Sequence, residues 1–156
     1  MNARITPVSK IKGDIEVQGD KSMSHRAVIF GSVSSGETRI SGFLESDDCR
    51  RTIEAFKLMG IEIREDSDGK IIIQGKGLSG LKEPADIIDC GNSGTTMRLL
   101  AGLLSGQKFL SILTGDDSLR SRPMNRVITP LKEMGTRIFG RDNNNFPPIV
   151  ISGNPE

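Results

Sequence analysis

An internal repeat restricts the fold of this chain more than any other feature of its sequence. Residues 46–63 and 121–138 align without a gap. Identical positions include Ser46 with Ser121, Arg51 with Arg126, Ile53 with Ile128, Lys57 with Lys132, and Met59-Gly60 with Met134-Gly135. Self-similarity at a fixed spacing marks a supersecondary unit that buries its apolar face against its own copies. The sequence therefore predicts two copies of one folding unit.

The similarity continues on both sides of these stretches with small shifts. A Ser-Gly dipeptide precedes a short apolar segment in both copies, at Ser35-Gly36 and at Ser105-Gly106. Two further segments match: Ser24-x-Arg26 with Thr96-x-Arg98, and 71–75 with 149–153. We therefore divide the chain into leading strands over about 1–18, a first unit over 19–76, a connector over 77–90 and a second unit over 91–153.

Each unit is predicted to contain a helix, a strand, a second helix and two further strands. Small polar residues that run into apolar stretches predict the first helices, and Ser-Gly pairs end them. We expect helices over 22–34 and 92–105, strands near 37–42 and 107–114, and paired strands over 61–66, 70–75, 136–140 and 148–152. Leading strands are expected near 4–9 and 13–18. The pattern is βαβαββ-like, and the fold class is α/β or α+β.

The second helix of each unit should begin at the matched serines. Ser46 is a good N-cap, and the two aspartates after it suit the positive end of the helix dipole. Its counterpart should begin around Ser121, with Pro123 near the first helical position. Pro130 lies farther inside and costs about 3 kcal/mol in a helix interior. The second copy should therefore start late or bend.

Charge and cysteine content narrow the range of functions. The net charge is +1, so nothing global attracts the chain to nucleic acid or to a membrane. Cys49 and Cys90 form no metal-spaced pair, and no secretory segment precedes them, so we expect a reduced, cytoplasmic protein. His25 is the only histidine, which argues against a histidine-based metal site. We expect no metal and no cofactor.

Basic residues gather at the predicted start of the first helix. The segment Gly19-Asp-Lys-Ser-Met-Ser-His-Arg26 places Lys21 before the helix and Ser22 at its first turn, with Arg26 one turn later on the same face. Free backbone N–H groups, a hydroxyl, an ammonium and a guanidinium suit a phosphate dianion. A capped helix with solvated basic residues is the simpler alternative.

Two further basic clusters lie in or before the second unit. Gly91-Asn-Ser-Gly-Thr-Thr-Met-Arg98 allows a tight turn at a helix start, and Asp116-Asp-Ser-Leu-Arg-Ser-Arg-Pro123 places two arginines before a helix. The aspartates could simply neutralise those arginines. Stacked repeats, however, would bring the helix starts to the same end, where convergent positive charge favours a bound anion.

Three motifs together resemble the EPSP synthases, namely Gly19–Arg26, Gly91–Thr95 and Arg122-Pro123, in this order and with the repeat between them. The resemblance covers about residues 4–153 and implies the enolpyruvyl transferase fold, with helices packed inside and sheets outside. It implies a transferase of the shikimate pathway, which makes chorismate for aromatic amino acids. The reaction moves the enolpyruvyl group of phosphoenolpyruvate to the 5-hydroxyl of shikimate 3-phosphate and releases phosphate.

The resemblance also implies roles for single residues. Lys21 would touch both substrates and assist proton transfer, and Ser22 and Arg26 would bind shikimate 3-phosphate. Gly94 and Arg122 would lie on the phosphoenolpyruvate side, supported by Asn92, Thr95 and Arg98. A glycine at position 94 goes with ordinary sensitivity to glyphosate, a mimic of phosphoenolpyruvate.

Two copies of the unit predict a fragment, because repeat folds usually need about three stacked units. The resemblance makes it the N-terminal portion and implies that the C-terminal domain, which supplies acid and base carboxylates, is the partner that it lacks. We therefore expect this chain to be inactive alone. The alternatives are an enzyme like the UDP-N-acetylglucosamine enolpyruvyl transferase, a non-catalytic phosphate-binding module, and a nucleic-acid enzyme, which the near-zero net charge disfavours.

Overall fold

A computed structural model of the chain describes residues 3–153, and it contains two sheets with helices packed against them. In chain order the elements are α1 (Lys21–Val33), β1 (Ser35–Ile40), α2 (Asp47–Leu58), β2 (Glu62–Glu65), β3 (Ile71–Lys76), β4 (Ile88–Asp89), α3 (Gly94–Ser105), β5 (Ser111–Thr114), α4 (Asp117–Arg120), α5 (Asn125–Glu133), β6 (Arg137–Gly140), α6 (Arg141–Asn144) and β7 (Phe146–Ser152). The α/β class is confirmed.

The two sheets repeat one strand order. The first sheet is β1-β3-β2, with both pairs antiparallel, and the second contains β5-β7-β6 with the same antiparallel pairing. In each unit the last strand lies in the middle, between the strand after the first helix and the strand after the second. The repeat in the sequence is therefore a repeat in the topology. The second sheet has one more strand, because β4 pairs in parallel with β5.

Apolar side chains from both units form one core. Phe56 of α2, Ile73 of β3, Leu100 of α3 and Ile149 of β7 are all fully buried in the same cluster. A Cβ atom at Gly31 would lie 3.1 Å from Cδ1 of Ile73, so α1 packs closely on the middle strand of its sheet. The three long helices α1, α2 and α3 also contact one another in sequence order, which places their starts side by side.

The predicted strands near 4–9 and 13–18 are wrong for this chain. The described residues before α1 form no strand, and the apolar side chains of Ile5, Ile11 and Ile15 are exposed. Alternating apolar residues indicate strand propensity, but a strand also needs an edge with which to pair, and no strand within residues 3–153 pairs with this segment. The connector, in contrast, contains the unpredicted strand β4.

The second copy of the second helix begins later than its alignment with Ser46 suggests. Ser121 is the C-cap of α4 and not the N-cap of α5, which begins at Asn125 after Met124, a residue that makes no side-chain capping hydrogen bond. The cause is Pro123, which disfavours helical geometry in the residue before it. The short helix α4, capped by Asp116, occupies the preceding segment. The expected late start is therefore confirmed, but its cause is not Pro130, which lies inside α5.

Both cysteines are buried and unpaired. Burial raises the pKa of the Cys90 thiol to about 12, helped by the charge of Asp89, so this thiol stays protonated. Cys90 belongs to the apolar core. Among residues 3–153, no helix has the length and apolar character needed to cross a bilayer.

Candidate anion-binding site at the helix starts

The start of α1 carries the first basic cluster. The carboxylate of Asp20 caps the helix by accepting a hydrogen bond of 2.7 Å from the backbone N–H of Met23. Lys21, Ser22 and Arg26 are exposed around this first turn and the next. The position is the one that the sequence predicts, and it leaves an ammonium, a hydroxyl and a guanidinium accessible to a ligand.

Lys21 joins the start of α1 to the start of α2. Its ammonium forms an ion pair with the carboxylate of Asp48, and its backbone carbonyl lies 3.7 Å from the thiol sulfur of Cys49. Asp48 in turn accepts, through its carbonyl oxygen, a hydrogen bond of 3.2 Å from the hydroxyl of Thr96 in α3. Asp48 therefore lies between Lys21 and the third helix.

The start of α3 places Gly94 against two arginines. Ser93 caps the helix through its hydroxyl, and Gly94 is the first helical residue. A Cβ atom at Gly94 would lie 2.6 Å from Nη1 of Arg98 and 3.5 Å from Nη1 of Arg122. The guanidinium of Arg122 also donates to the side-chain carbonyl of Asn92. The glycine therefore keeps open a space that both guanidinium groups border.

The acids near this helix start reach Arg122 but not Arg98: the charge of Arg122 lowers the pKa of Asp116, whereas no carboxylate affects the pKa of Arg98. Nε of Arg98 is buried and has no hydrogen-bond partner within the part of the chain that the structure describes. Burial lowers the pKa of the Arg98 guanidinium, and the charges of Arg126 and Arg122 lower it further. A guanidinium crowded by two others is stabilised by a bound anion.

A cavity of about 680 Å³ lies beside these residues. Its lining comprises Asp47, Asp48, Arg50, Arg51, Glu54, Asp89, Gly91, Asn92, Thr114, Gly115, Asp116 and Arg120. Of the site residues predicted from the sequence, only Asn92 lines it. Lys21 and Arg122 contact the cavity wall through Asp48 and Asn92. Ser22 and Arg26 do not line it, and Nη2 of Arg26 instead lies 3.3 Å from the sulfur of Met23.

Sequence reasoning missed the acidic residues that hold the glycine-rich loop. Asp89 accepts 2.8 Å hydrogen bonds from the guanidinium of Arg51 and from the backbone N–H of Gly91. Asp116 accepts one of 2.8 Å from the side-chain amide of Asn92, and the bonds from Leu119 and Asn92 lower its pKa. An aspartate two residues before the loop was the available signal for Asp89.

The supporting residues differ in how the structure uses them. Asn92 bridges Arg122 and Asp116, Arg98 borders Gly94, and Thr95 is half-buried in the first turn of α3 without a described side-chain hydrogen bond. No group of three or more His, Cys, Asp or Glu side chains that could hold a metal ion occurs within residues 3–153.

The fold and its helix starts define a repeat-built α/β protein with basic residues gathered where α1 and α3 begin. The sequence profile of EPSP synthase (3-phosphoshikimate 1-carboxyvinyltransferase) matches residues 5–156. The chain belongs to the EPSP synthase family. The resemblance drawn from the three motifs is therefore confirmed. The alternative, an enzyme like the UDP-N-acetylglucosamine enolpyruvyl transferase, is not favoured.

Individual relatives agree with this assignment. The chain is 52% identical over 152 residues to the 3-phosphoshikimate 1-carboxyvinyltransferase of Citrifermentans bemidjiense, covering 97% of this chain and 35% of the relative. It is 56% identical over 146 residues to that of Alkaliphilus metalliredigens, covering 94% and 34%. The EPSP synthase structure from Acinetobacter baumannii superimposes with a TM-score of 0.87 at 47% identity, covering 91% and 32%. The chain spans about a third of the length of these relatives.

Proposed function

We propose that this chain is the part of a 3-phosphoshikimate 1-carboxyvinyltransferase that holds the anionic groups of both substrates. The reaction transfers the enolpyruvyl group of phosphoenolpyruvate to the 5-hydroxyl of shikimate 3-phosphate, giving 5-enolpyruvylshikimate 3-phosphate and phosphate. The observation that supports it best is the group of arginines bordering Gly94, where the charges of Arg126 and Arg122 lower the pKa of Arg98 and no carboxylate raises it. Phosphorylated acids supply the charge that this group requires.

Phosphoenolpyruvate is assigned to the start of α3. Gly94 offers a backbone without a Cβ atom at the positive end of the helix dipole, and Arg122 offers a guanidinium beside it. Asn92 orients that guanidinium by accepting its hydrogen bond, and Asp116 fixes Asn92. Arg98 lies behind Gly94 and adds positive charge, so Asn92 and Arg98 support the binding groups rather than replace them, and we assign Thr95 to the same supporting turn.

Shikimate 3-phosphate is assigned to the start of α1. Ser22 and Arg26 lie on the exposed face of its first two turns, and Lys21 stands between this helix and α2. Lys21 forms an ion pair with Asp48, and its ammonium can exchange that carboxylate for a substrate anion with only a small movement of the side chain. A lysine positioned between both substrates can donate or accept the proton that the addition and elimination steps require.

The remaining chemistry is assigned to the partner that the family resemblance implies, the C-terminal domain of the same enzyme. The proposal places the acid and base carboxylates there, and the chain then needs that domain for turnover. We also assign the protein to the cytoplasm, with which two buried, unpaired cysteines are consistent. No nucleic acid, membrane, metal or cofactor takes part in the proposed reaction.

Calorimetry with shikimate 3-phosphate tests the binding part of this proposal. We expect saturable binding to the chain, and we expect Lys21→Ala and Arg26→Ala each to weaken it by about tenfold or more, since each removes a charged hydrogen-bond donor. Arg39→Ala is the matched control, because Arg39 is exposed on β1 and paired with Glu37. Stronger binding of UDP-N-acetylglucosamine or of an oligonucleotide would overturn the proposal.

Turnover tests the catalytic part. A chimera in which this chain replaces the matching third of the Citrifermentans bemidjiense relative should release phosphate from the two substrates together. The chain by itself should not release it. A chimera that folds and binds shikimate 3-phosphate but never turns over would contradict the assigned reaction.

A further inference from the structure

A buried row of polar side chains connects the three helices that carry the site. Nδ1 of His25 in α1 lies 2.7 Å from the hydroxyl of Thr52 in α2, which lies 2.8 Å from the hydroxyl of Thr96 in α3. The Thr96 hydroxyl lies 2.7 Å from that of Ser93, the residue directly before Gly94. All four residues are less than 5% exposed.

The contacts at Thr96 indicate the direction of this row. A hydroxyl has one proton, and the carbonyl oxygen of Asp48, 3.2 Å from the Thr96 hydroxyl, can only accept. If Thr96 gives its proton to Asp48 or to Ser93, then Thr52 must donate to Thr96. Thr52 can then only accept from His25, and the imidazole proton lies on Nδ1.

The second ring nitrogen of His25, Nε2, supports the same direction of proton donation along the row. Nε2 is buried and has no hydrogen-bond partner among residues 3–153. In the reverse order this nitrogen would carry a buried N–H without an acceptor, and orphaned buried donors are rarer than orphaned acceptors. Burial lowers the pKa of His25, an effect that Asp48 opposes and Lys21 reinforces, which agrees with a neutral ring.

We infer that His25, Thr52, Thr96 and Ser93 form a one-directional hydrogen-bond chain, beginning at Nδ1–H of His25, that positions the starts of α1, α2 and α3 relative to one another. His25 adjoins Arg26, Thr52 lies one turn after Asp48, and Ser93 adjoins Gly94. Each member is therefore rigidly connected to a residue of the proposed site. The inference rests on the proposed function only for the claim that this alignment serves two substrates, and the chain itself is independent of it.

The positioning role follows from the cost of breaking the chain. Buried hydroxyl groups without partners are expensive, so the helices keep the spacing at which every link is made. Apolar packing alone would allow α1 and α3 to slide by fractions of an ångström, because it has no preferred direction. These four residues thus act through others and need not contact a ligand.

The tautomer of His25 is the first test, and it requires no variant. Nitrogen-15 NMR of the imidazole near neutral pH should show the proton on Nδ1 and a bare Nε2. A proton on Nε2, or an imidazolium at that pH, would overturn the inference. This measurement does not involve substrates, so its failure is separate from a failure to bind shikimate 3-phosphate.

The variant Thr52→Val tests the coupling between helices, with Thr52→Ser as the matched control that keeps the hydroxyl. In the valine variant the amide of Thr96, which donates to Ser93 at 3.1 Å, should exchange with solvent about tenfold faster. Amide signals of Gly94 and Thr95 should also move, although the substituted side chain lies in α2. Changes confined to α1 and α2 would contradict the role, as would the same changes in the serine variant.

Discussion

The first helices of the two units start at equivalent places but handle positive charge in different ways. At the start of α1, Lys21 is exposed and paired with the carboxylate of Asp48. At the start of α3, Arg98 is partly buried, crowded by other arginines, and leaves its Nε without a partner in the described residues. Under the proposed function, the same scaffold thus has two anion sites, one whose lysine pairs with an internal carboxylate and a second, the open site, where no carboxylate affects the pKa of Arg98.

The second helices differ in a way that explains how this open site arises. In the first unit, α2 begins at the serine cap Ser46 and runs 12 residues. In the second, Pro123 prevents helical geometry at the matched place, and α5 runs only 9 residues. Arg122 consequently stands outside a helix and is directed to Asn92 and Gly94. One proline in the repeat therefore places the arginine to which we assign phosphoenolpyruvate binding.

The largest expected effect comes from removing that arginine. In the chimera, Arg122→Ala should weaken binding of phosphoenolpyruvate about 100-fold, because a charged, forked donor to a phosphate or carboxylate is lost. Arg137→Ala, on the exposed side of β6, is the control and should change nothing. An affinity that survives Arg122→Ala would show that the second unit is not the open site. Inhibition kinetics or calorimetry supplies the affinity.

A smaller effect is expected at one pair of equivalent positions, which is Ser22 in the first unit and Gly94 in the second. In the chimera, Gly94→Ala should weaken glyphosate by about tenfold, because the new methyl group moves the Arg98 guanidinium from beside the ligand space. Binding of shikimate 3-phosphate, assigned to the other unit, should change much less. Ser22→Ala is the complementary variant and should weaken shikimate 3-phosphate more than glyphosate. Equal losses of affinity for both ligands in either variant would contradict the assignment of one ligand to each unit.

The capping serines should differ in their effect on stability. Ser46→Ala should lower the free energy of unfolding by about 1 kcal/mol, since Ser46 caps α2. Ser121→Ala should have less than half this effect, because its hydroxyl only donates to a neighbouring carbonyl on the surface. Urea titration of both variants measures the difference. Similar losses in the free energy of unfolding would mean that the two aligned serines stabilise the protein equally, which would contradict the prediction.

The smallest effect concerns pH and compares His25 with its buried counterpart Met97. The folded pKa of His25 lies below its ordinary value of 6.5, mainly because of burial. The unfolded chain therefore binds the proton first, and His25 should reduce stability as the pH falls from 6.5 toward its folded pKa. His25→Met should remove the slope of stability against pH in this window and leave the slope above pH 7 unchanged, although loss of the hydrogen bond with Thr52 lowers stability at every pH. An identical slope in both proteins would show that His25 does not titrate with unfolding.

The repeat made much of the fold predictable. Matched Ser-Gly pairs and Met-Gly pairs fixed the ends of α1, α2, α3 and α5 to within a few residues, because glycine and serine carry local conformational signals. The positions of β1 to β3 and of β5 to β7 followed from apolar runs, whereas β4 did not. The middle place of β3 and β7 in their sheets was not predictable, since strand order depends on pairing between segments distant in the sequence.

The site was predictable where a local motif carries it and not where it depends on tertiary pairing. Helix starts with Lys21 and Gly94 are visible as short motifs, whereas the hydrogen bonds of Asp89 with Arg51 and Gly91 join residues from different elements. The wrong leading strands have the same cause. Their alternating apolar residues indicate strand propensity, but whether a sheet edge is available for pairing depends on the assembled fold.

The most direct test of the central claim, that the two helix starts act as one site, is an amide NMR titration of the chain with shikimate 3-phosphate and phosphoenolpyruvate together. The amides of 21–26 and of 91–95 should shift with a common midpoint, because ligands held by both units order both helix starts at once. Shifts confined to one of these segments, or two clearly different midpoints, would contradict the claim.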